Sequence, residues 1–270
     1  MSDLVAVTRE VSPAIARCEL THLSRLAIDV DVARAQHAAY EQCLAGAGCT
    51  LVRLGTGPDM PDSVFVEDLA VVFDEIAVVT RPGAPPRRLE TLAVAETLGR
   101  YRRLRHLEAP ATADGGDVLV VGKKVFVGCS TRTNGAAIDQ MRQFLGEHGY
   151  TVLGVEVGGC LHLKSAVTAL ADDLLLINRA WVSIGPFSTF DLVDVDPDEP
   201  SGANALRVGG DVVYAASFPR TRERLERRGL RVRSVDVSEI AKAEGAITCC
   251  SLVFAATVRL KPDATYSTLP

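Results

Sequence analysis

Asp114-Gly-Gly-Asp-Val-Leu-Val-Val121, the turn Gly122-Lys-Lys124 and Val125-Phe-Val-Gly128 decide the fold. Two apolar runs around a Gly-containing turn read as a β-hairpin. Helical periodicity over Ala136–Leu145 and a further strand at Thr151–Val157 complete a ββαβ unit. The same rhythm recurs upstream: strand Val64–Phe73, a turn at Asp74-Glu75, strand Ile76–Thr80, helix Leu89–Leu98 and strand Arg103–Leu107. Downstream, one hairpin runs from His162–Leu170 through Ala171-Asp-Asp173 to Leu174–Ile177. Another runs from Ala203–Val208 across Gly209-Gly-Asp211 to Val212–Ala216, with helix Arg222–Arg227 and strand Arg231–Asp236 behind it. The N-terminal part supplies strand Leu4–Thr8, helix Asp31–Leu44 ending at Gly46, and strand Thr50–Leu54. Unit starts near Leu20, Asp68, Gly116, Lys164, Asn204 and Cys249 are spaced by roughly 40 to 50 residues, the range of radial and solenoid repeats. Cys249 then opens a half-unit that can pair with the N-terminal strand. Such closure protects sheet edges and gathers the strand starts around one cavity. On rhythm alone, an ordinary doubly wound sheet is the competing architecture.

Composition fits this. The chain has 270 residues, 47% hydrophobic and 23% charged, enough to bury a full core. A net charge of −5 argues against a nucleic-acid surface. The one basic run, Arg220 to Arg228, alternates with acids at helical spacing and reads as a solvated helix face. No apolar run approaches the roughly 18 residues of a membrane span, and the first residues lack the basic and apolar regions of a signal peptide. Seven cysteines without paired spacings suit reduced thiols, so a cytoplasmic location is expected, with neither membrane nor nucleic acid as partner. Residues 1–258 are expected to form a single domain, and 259–270, without periodicity, a loose tail.

Gly245 to Phe254 reads as a short apolar strand carrying Cys249 and Cys250. Alternation would send their side chains to opposite faces, one to a pocket and one to the core. If unit starts converge, so do their polar residues: Glu67, Asp68, Asp114, Asp117, His162 and Cys249. A thiolate nucleophile, an imidazole able to give and take a proton, and a carboxylate to fix its tautomer form a coherent set. The remaining acids would make a negative pocket suited to a cationic group. A metal site from Cys160, His162, Cys249 and Cys250 matches no standard ligand spacing.

Asp62-Ser-Val-Phe-Val-Glu-Asp68, Arg81-Pro-Gly-Ala84 with Arg87-Arg88, Asp114-Gly-Gly-Asp117, Arg132-Thr-Asn134, Leu161-His-Leu-Lys-Ser165, Ala203-Asn204 and Thr248-Cys-Cys-Ser251 occur in this order. Together they resemble the dimethylarginine dimethylaminohydrolase family of the guanidino-group-modifying superfamily, over about Val7 to Phe254. The resemblance implies a five-bladed α/β propeller of ββαβ units with its site in the central channel. It implies Cys249 as nucleophile, His162 as general acid and base, and Asp114 as the carboxylate orienting His162, at a position where relatives often carry Glu. Asp68, with Glu67 beside it, would bind the guanidinium. Asp62, Arg87, Arg132, the backbone of Leu20 on a mobile lid loop and the backbone of Ala243 would hold the amino-acid end of the substrate.

The implied reaction is hydrolysis of N-omega-methylated arginine, as asymmetric dimethylarginine or monomethylarginine, to citrulline and an amine through a covalent thiouronium. It needs no cofactor and no metal, although zinc could inhibit by capturing Cys249 and His162. No Lys or Arg flanks Cys249, so the arriving guanidinium is expected to stabilise the thiolate itself. Arginine deiminase is the nearest alternative. Its usual His-x-Asp is His162-Leu-Lys164 here, which removes an acid and opens space for methyl groups. A non-catalytic arginine-binding protein would lack the nucleophile or the base, and both are present. The expected partner is a small methylated arginine, and a homodimer stays open.

Overall fold

The computed structural model describes residues 3–256, and the tail expected over 259–270 lies outside them. Within those residues fifteen short strands pair into five three-stranded sheets. β1 (Leu4–Arg9) lies parallel to β2 (Cys49–Leu54), from Leu4 opposite Cys49 to Arg9 opposite Leu54. β3 (Ala70–Val72), β4 (Ile76–Val79) and β5 (Arg103–His106) make the next sheet, and β6 (Val118–Val121), β7 (Lys124–Cys129) and β8 (Thr151–Glu156) the third. β9 (Val167–Ala169), β10 (Leu174–Ile177) and β11 (Asp191–Asp194) follow. β12 (Ala205–Val208), β13 (Asp211–Ala215) and β14 (Arg231–Val235) complete the fourth repeat. Each unit is an antiparallel hairpin whose second strand receives a parallel third. β15 (Leu252–Ala255) pairs antiparallel with β1, Leu4 opposite Ala255 and Val7 opposite Leu252, so the last strand completes the first sheet. The architecture is a five-bladed α/β propeller.

Closure is visible along the axis. A cavity of about 270 Å³ is lined by β3, β6, β9, β12 and β15, the first strand of every hairpin and the closing strand. The helices lie outside. α1 (Val30–Gly46), which buries Ala33, Tyr40 and Leu44, starts at Asp29, whose carboxylate accepts hydrogen bonds from the N–H groups of Asp31 and Val32. α2 spans Thr91–Leu98. α3 (Gly135–Gly146) is capped by Asn134 and buries Ala137, Ile138, Met141 and Leu145 at the spacing of one helical face. α4 spans Leu163–Ala166. α5 (Pro219–Arg227) buries only Thr221 and Leu225, while Arg227 pairs with Glu223 at 2.5 Å on the solvated face. α6 spans Ser238–Ala241. Among the described residues no helix is long and apolar enough to cross a membrane.

Three sequence expectations are corrected. Each axis-lining strand is preceded by a helical turn, at Val66–Leu69, Gly115–Asp117, Leu163–Ala166, Pro200–Ala203 and Thr248–Cys250; all but the fourth fall where the sequence reads as continuous strand. Cys249 and Cys250 therefore sit on a turn, not on a strand. Their environments still differ, because a turn also fans consecutive side chains apart. Leu20 begins no blade: it lies between β1 and α1, since β1 is the middle strand of the sheet that β15 closes. The unit after β10 has only a short turn at Gly185–Phe187 before β11, a strand the sequence pattern did not reveal.

Candidate active site

Four of the five helical turns bring a side chain, on the turn or just before it, to the same end of the axis: Asp68, Asp114, His162 and Cys249. His162 occupies the extended position before α4 and is buried, with Nε2 3.1 Å from Asp114 Oδ2 and Nδ1 3.9 Å from Asp68 Oδ1. Gly115-Gly116 is what lets these elements close. A Cβ at Gly115 would lie 2.0 Å from the Glu67 carbonyl oxygen, and one at Gly116 2.6 Å from His162 Nδ1. The glycines thus serve close approach, not a phosphate loop. Asp117, the second acid of the motif, accepts from Ser130 Oγ at 2.6 Å, Thr133 Oγ1 at 2.7 Å and the Leu163 N–H at 2.9 Å, which anchors the residue after His162.

Burial alone would lower the His162 pKa, but Asp68, Asp114 and Asp117 outweigh it and raise the imidazole to about 9. Burial would raise Asp114, yet its bond to His162, with Arg87 and the Gly83 N–H, holds it below the usual carboxylate range. Cys249 shares a cavity with His162, Asp114, Asp68 and Arg132. Burial, then the carboxylates of Glu67 and Asp68, push its thiol well above its ordinary pKa. Cys250 packs into the core, its Sγ 3.8 Å from the Ala246 carbonyl.

Arg87 is fully buried. It donates through Nη1 to Asp68 at 2.5 Å, through Nε to Glu90 at 3.1 Å, and through Nη2 to the Phe65 and Asp62 carbonyls at 2.9 and 3.3 Å. Burial would lower its pKa, and the acids around it raise it instead. Burial lifts Glu90 to about 7. Arg132 reaches over the cavity mouth, donating to Thr21 Oγ1 at 3.0 Å and standing 3.9 Å from Asp114.

The cavity contains eight of the ten residues expected from the sequence: Asp62, Asp68, Arg87, Asp114, Arg132, His162, Ala243 and Cys249. Glu67 and Leu20 are not among its lining residues. Glu67 lines the axial cavity, accepting from Lys164 Nζ at 2.7 Å and Thr248 Oγ1 at 2.6 Å. Leu20 lies in the covering loop between Glu19, whose N–H binds Asp62 at 3.2 Å, and Thr21.

Three contributors are not among the site residues expected from the sequence. Asn204 accepts from the Thr248 N–H at 3.0 Å and donates to Thr248 Oγ1 and the Lys164 carbonyl, tying the cysteine turn to a neighbouring blade. Glu90 backs Arg87, and Glu244 lines the mouth. Only Asn204 carried a motif signal. Among the described residues, Asp68, Asp114 and His162 are the one convergent set of metal donors, with atoms within 4.8 Å of one another; neither Cys160 nor the two adjacent cysteines join it. Arg87 already balances Asp68 there.

A family model described as N,N dimethylarginine dimethylhydrolase, eukaryotic, matches residues 21–183. The N(G),N(G)-dimethylarginine dimethylaminohydrolase of Streptomyces coelicolor is 39% identical, covering 93% of this chain and 97% of the relative. The Pseudomonas aeruginosa protein of that name is 37% identical, covering 81% and 87%. A solved cysteine-to-serine mutant of the Pseudomonas aeruginosa enzyme complexed with citrulline superposes with a TM-score of 0.89 at 33% identity, over 94% of this chain and 100% of that one.

Proposed function

The chain belongs to the dimethylarginine dimethylaminohydrolase family, and from that premise we propose how its own residues hydrolyse N-omega-methylated arginine to citrulline and methylamine or dimethylamine. One observation carries the assignment of roles: a cysteine, a histidine paired with a buried aspartate, and a second aspartate face one cavity. With Nε2 of His162 donating to Asp114, Nδ1 is left for proton transfer, and an imidazole raised to about 9 is charged at neutral pH.

The substrate guanidinium carbon is a poor electrophile because its charge is delocalised, so its plane must be fixed and a strong nucleophile supplied. Asp68 holds the guanidinium, and its positive charge lowers the cost of ionising Cys249. The Cys249 proton passes to solvent, and the thiolate bonds to the guanidinium carbon. His162 gives its proton to the dimethylamine nitrogen as the carbon–nitrogen bond breaks, leaving a thiouronium. Neutral His162 then takes a proton from water, the hydroxide adds to the same carbon, and the carbon–sulfur bond breaks as the adduct's hydroxyl proton passes to the departing sulfur, releasing citrulline and the Cys249 thiol. Arg132 takes the substrate carboxylate through its planar fork. Arg87 is better suited to positioning Asp68, because its donors are already engaged. Lys164, bonded to Glu67, leaves no free acid where a deiminase would carry one.

Citrulline release from asymmetric dimethylarginine, monomethylarginine and arginine, with wild type and Cys249→Ser, tests the reading. Turnover of the methylated substrates, lost in the variant, is expected. Preference for arginine would shift it to a deiminase.

A further inference from the structure

The catalytic cavity is small, about 20 Å³, room for a water and not for an amino acid, so a substrate enters only when something over it moves. What covers it is the exposed loop from Glu19 to Asp29. Much of what ties this loop down comes from one short stretch of chain. The Asp29 N–H donates to Glu239 at 2.9 Å, Lys242 Nζ donates to the Ala27 carbonyl at 3.1 Å, and Glu244 takes the centre. Three consecutive N–H groups, of Thr21, His22 and Leu23, converge on the Glu244 carboxylate at 3.0, 2.5 and 2.5 Å. Successive amides aimed at one point form an anion-binding nest, here filled by a side chain of the protein itself.

Glu244 also sits where its backbone would favour another residue. It follows α6 with φ +58°, the only non-glycine residue at positive φ among those described. The Glu244 N–H bonds to the Ala241 carbonyl and the Gly245 N–H to the Ile240 carbonyl, the helix ending that glycine usually fills. A glutamate is retained there against that preference, and its carboxylate is spent on the loop.

We propose that Glu244 is a positioning residue, a latch that holds the Thr21–Leu23 backbone over the cavity and thereby fixes the two main-chain groups that receive the amino-acid end of the substrate. The inference rests on the functional reading above. The family resemblance makes those two groups the backbones of Leu20 and Ala243, each the immediate chain neighbour of one side of the latch. One carboxylate therefore sets the distance between them. Release of the latch opens the entrance, and its closing completes the binding site after the substrate has arrived.

The test compares Glu244→Gly and Glu244→Gln with wild type, using asymmetric dimethylarginine kinetics, thermal melting, and trypsin cleavage after Arg25 under native conditions. Arg25 is anchored to the Ala16 and Cys18 carbonyls, so cutting it requires the loop to come away. Glu244→Gly is expected to raise KM about tenfold with kcat within about twofold, and to speed cleavage about tenfold, with no loss of melting temperature because glycine suits the backbone there. Glu244→Gln, which keeps a neutral acceptor, falls between. Unchanged KM and cleavage overturn the latch. So does a raised KM with unchanged cleavage, which would mean Glu244 acts on the substrate directly, and so does a collapse of kcat together with melting temperature. If the wild type turns over no methylated arginine, the functional reading falls, and the cleavage rates alone decide the latch.

Discussion

At the scale of single residues, the site is a contest between burial and charge, and its outcome sets the pH behaviour. His162 ionises near pH 6.5 in an unfolded chain and near 9 in the folded one. Its contribution to stability is thus complete below about pH 6.5 and lost as pH rises through about 9. Urea midpoints should decline across that window, and His162→Gln should flatten the decline. The same group is the acid for amine departure, so kcat should fall as pH rises through about 9. Cys249 points the other way, since burial and two carboxylates oppose its ionisation. Thiolate absorbance of the free protein should show no titration of Cys249 below neutral pH, and an early thiolate would falsify the assignment of its activation to the substrate. At the amino-acid end, Arg132→Lys should raise KM about tenfold while melting stays within a degree or two, because the planar fork is lost and not the charge. Most of these residues were legible from motifs. Glu67 and Asp68 line different cavities because adjacent acids on a helical turn diverge, which the sequence cannot display. Glu244 was missed because a lone glutamate in a loop forms no pattern.

At the scale of elements, the decisive features are the helical turns before the axis-lining strands. They were illegible for a physical reason: three or four residues are too few to show a period, and an apolar strand follows directly, so turn and strand merge into one apolar run. The longer elements, α1, α3 and the hairpins around Asp74 and Gly122, stood out because their periodicity persists over many residues. The turn carrying Cys249 depends on Asn204 in the adjacent blade. Asn204→Ala strands the buried Thr248 N–H and should destabilise by about 2 kcal/mol in urea unfolding while lowering kcat more than it alters KM. By contrast Met141→Ala, in the buried face of α3 remote from the cavity, should cost about 2–5 kcal/mol and leave KM unchanged.

At the scale of the whole molecule, ring closure joins the two ends of the described chain: the Ala256 N–H donates to the Asp3 carbonyl at 2.8 Å beside the β1–β15 pairing. A circular permutant linking residue 256 to residue 3 and opened at the exposed Gly209-Gly210 turn should fold and keep activity within about threefold, since it moves the ring's seam to another blade without removing any pairing. Loss of the fold in that permutant would mean the seam must lie between β1 and β15. The five blades were readable from sequence as rhythm; their number followed from resemblance, because repeats this divergent share spacing and little identity. The short turns at the head of the inner strands have an evolutionary consequence. Asp68, Asp114, His162 and Cys249 each stand on or just before a different one of these turns, so a substitution at one turn alters one wall of the pocket and leaves the others in place. A lineage can therefore explore new substrates one wall at a time, without first surrendering the scaffold that keeps the nucleophile and its acid in register.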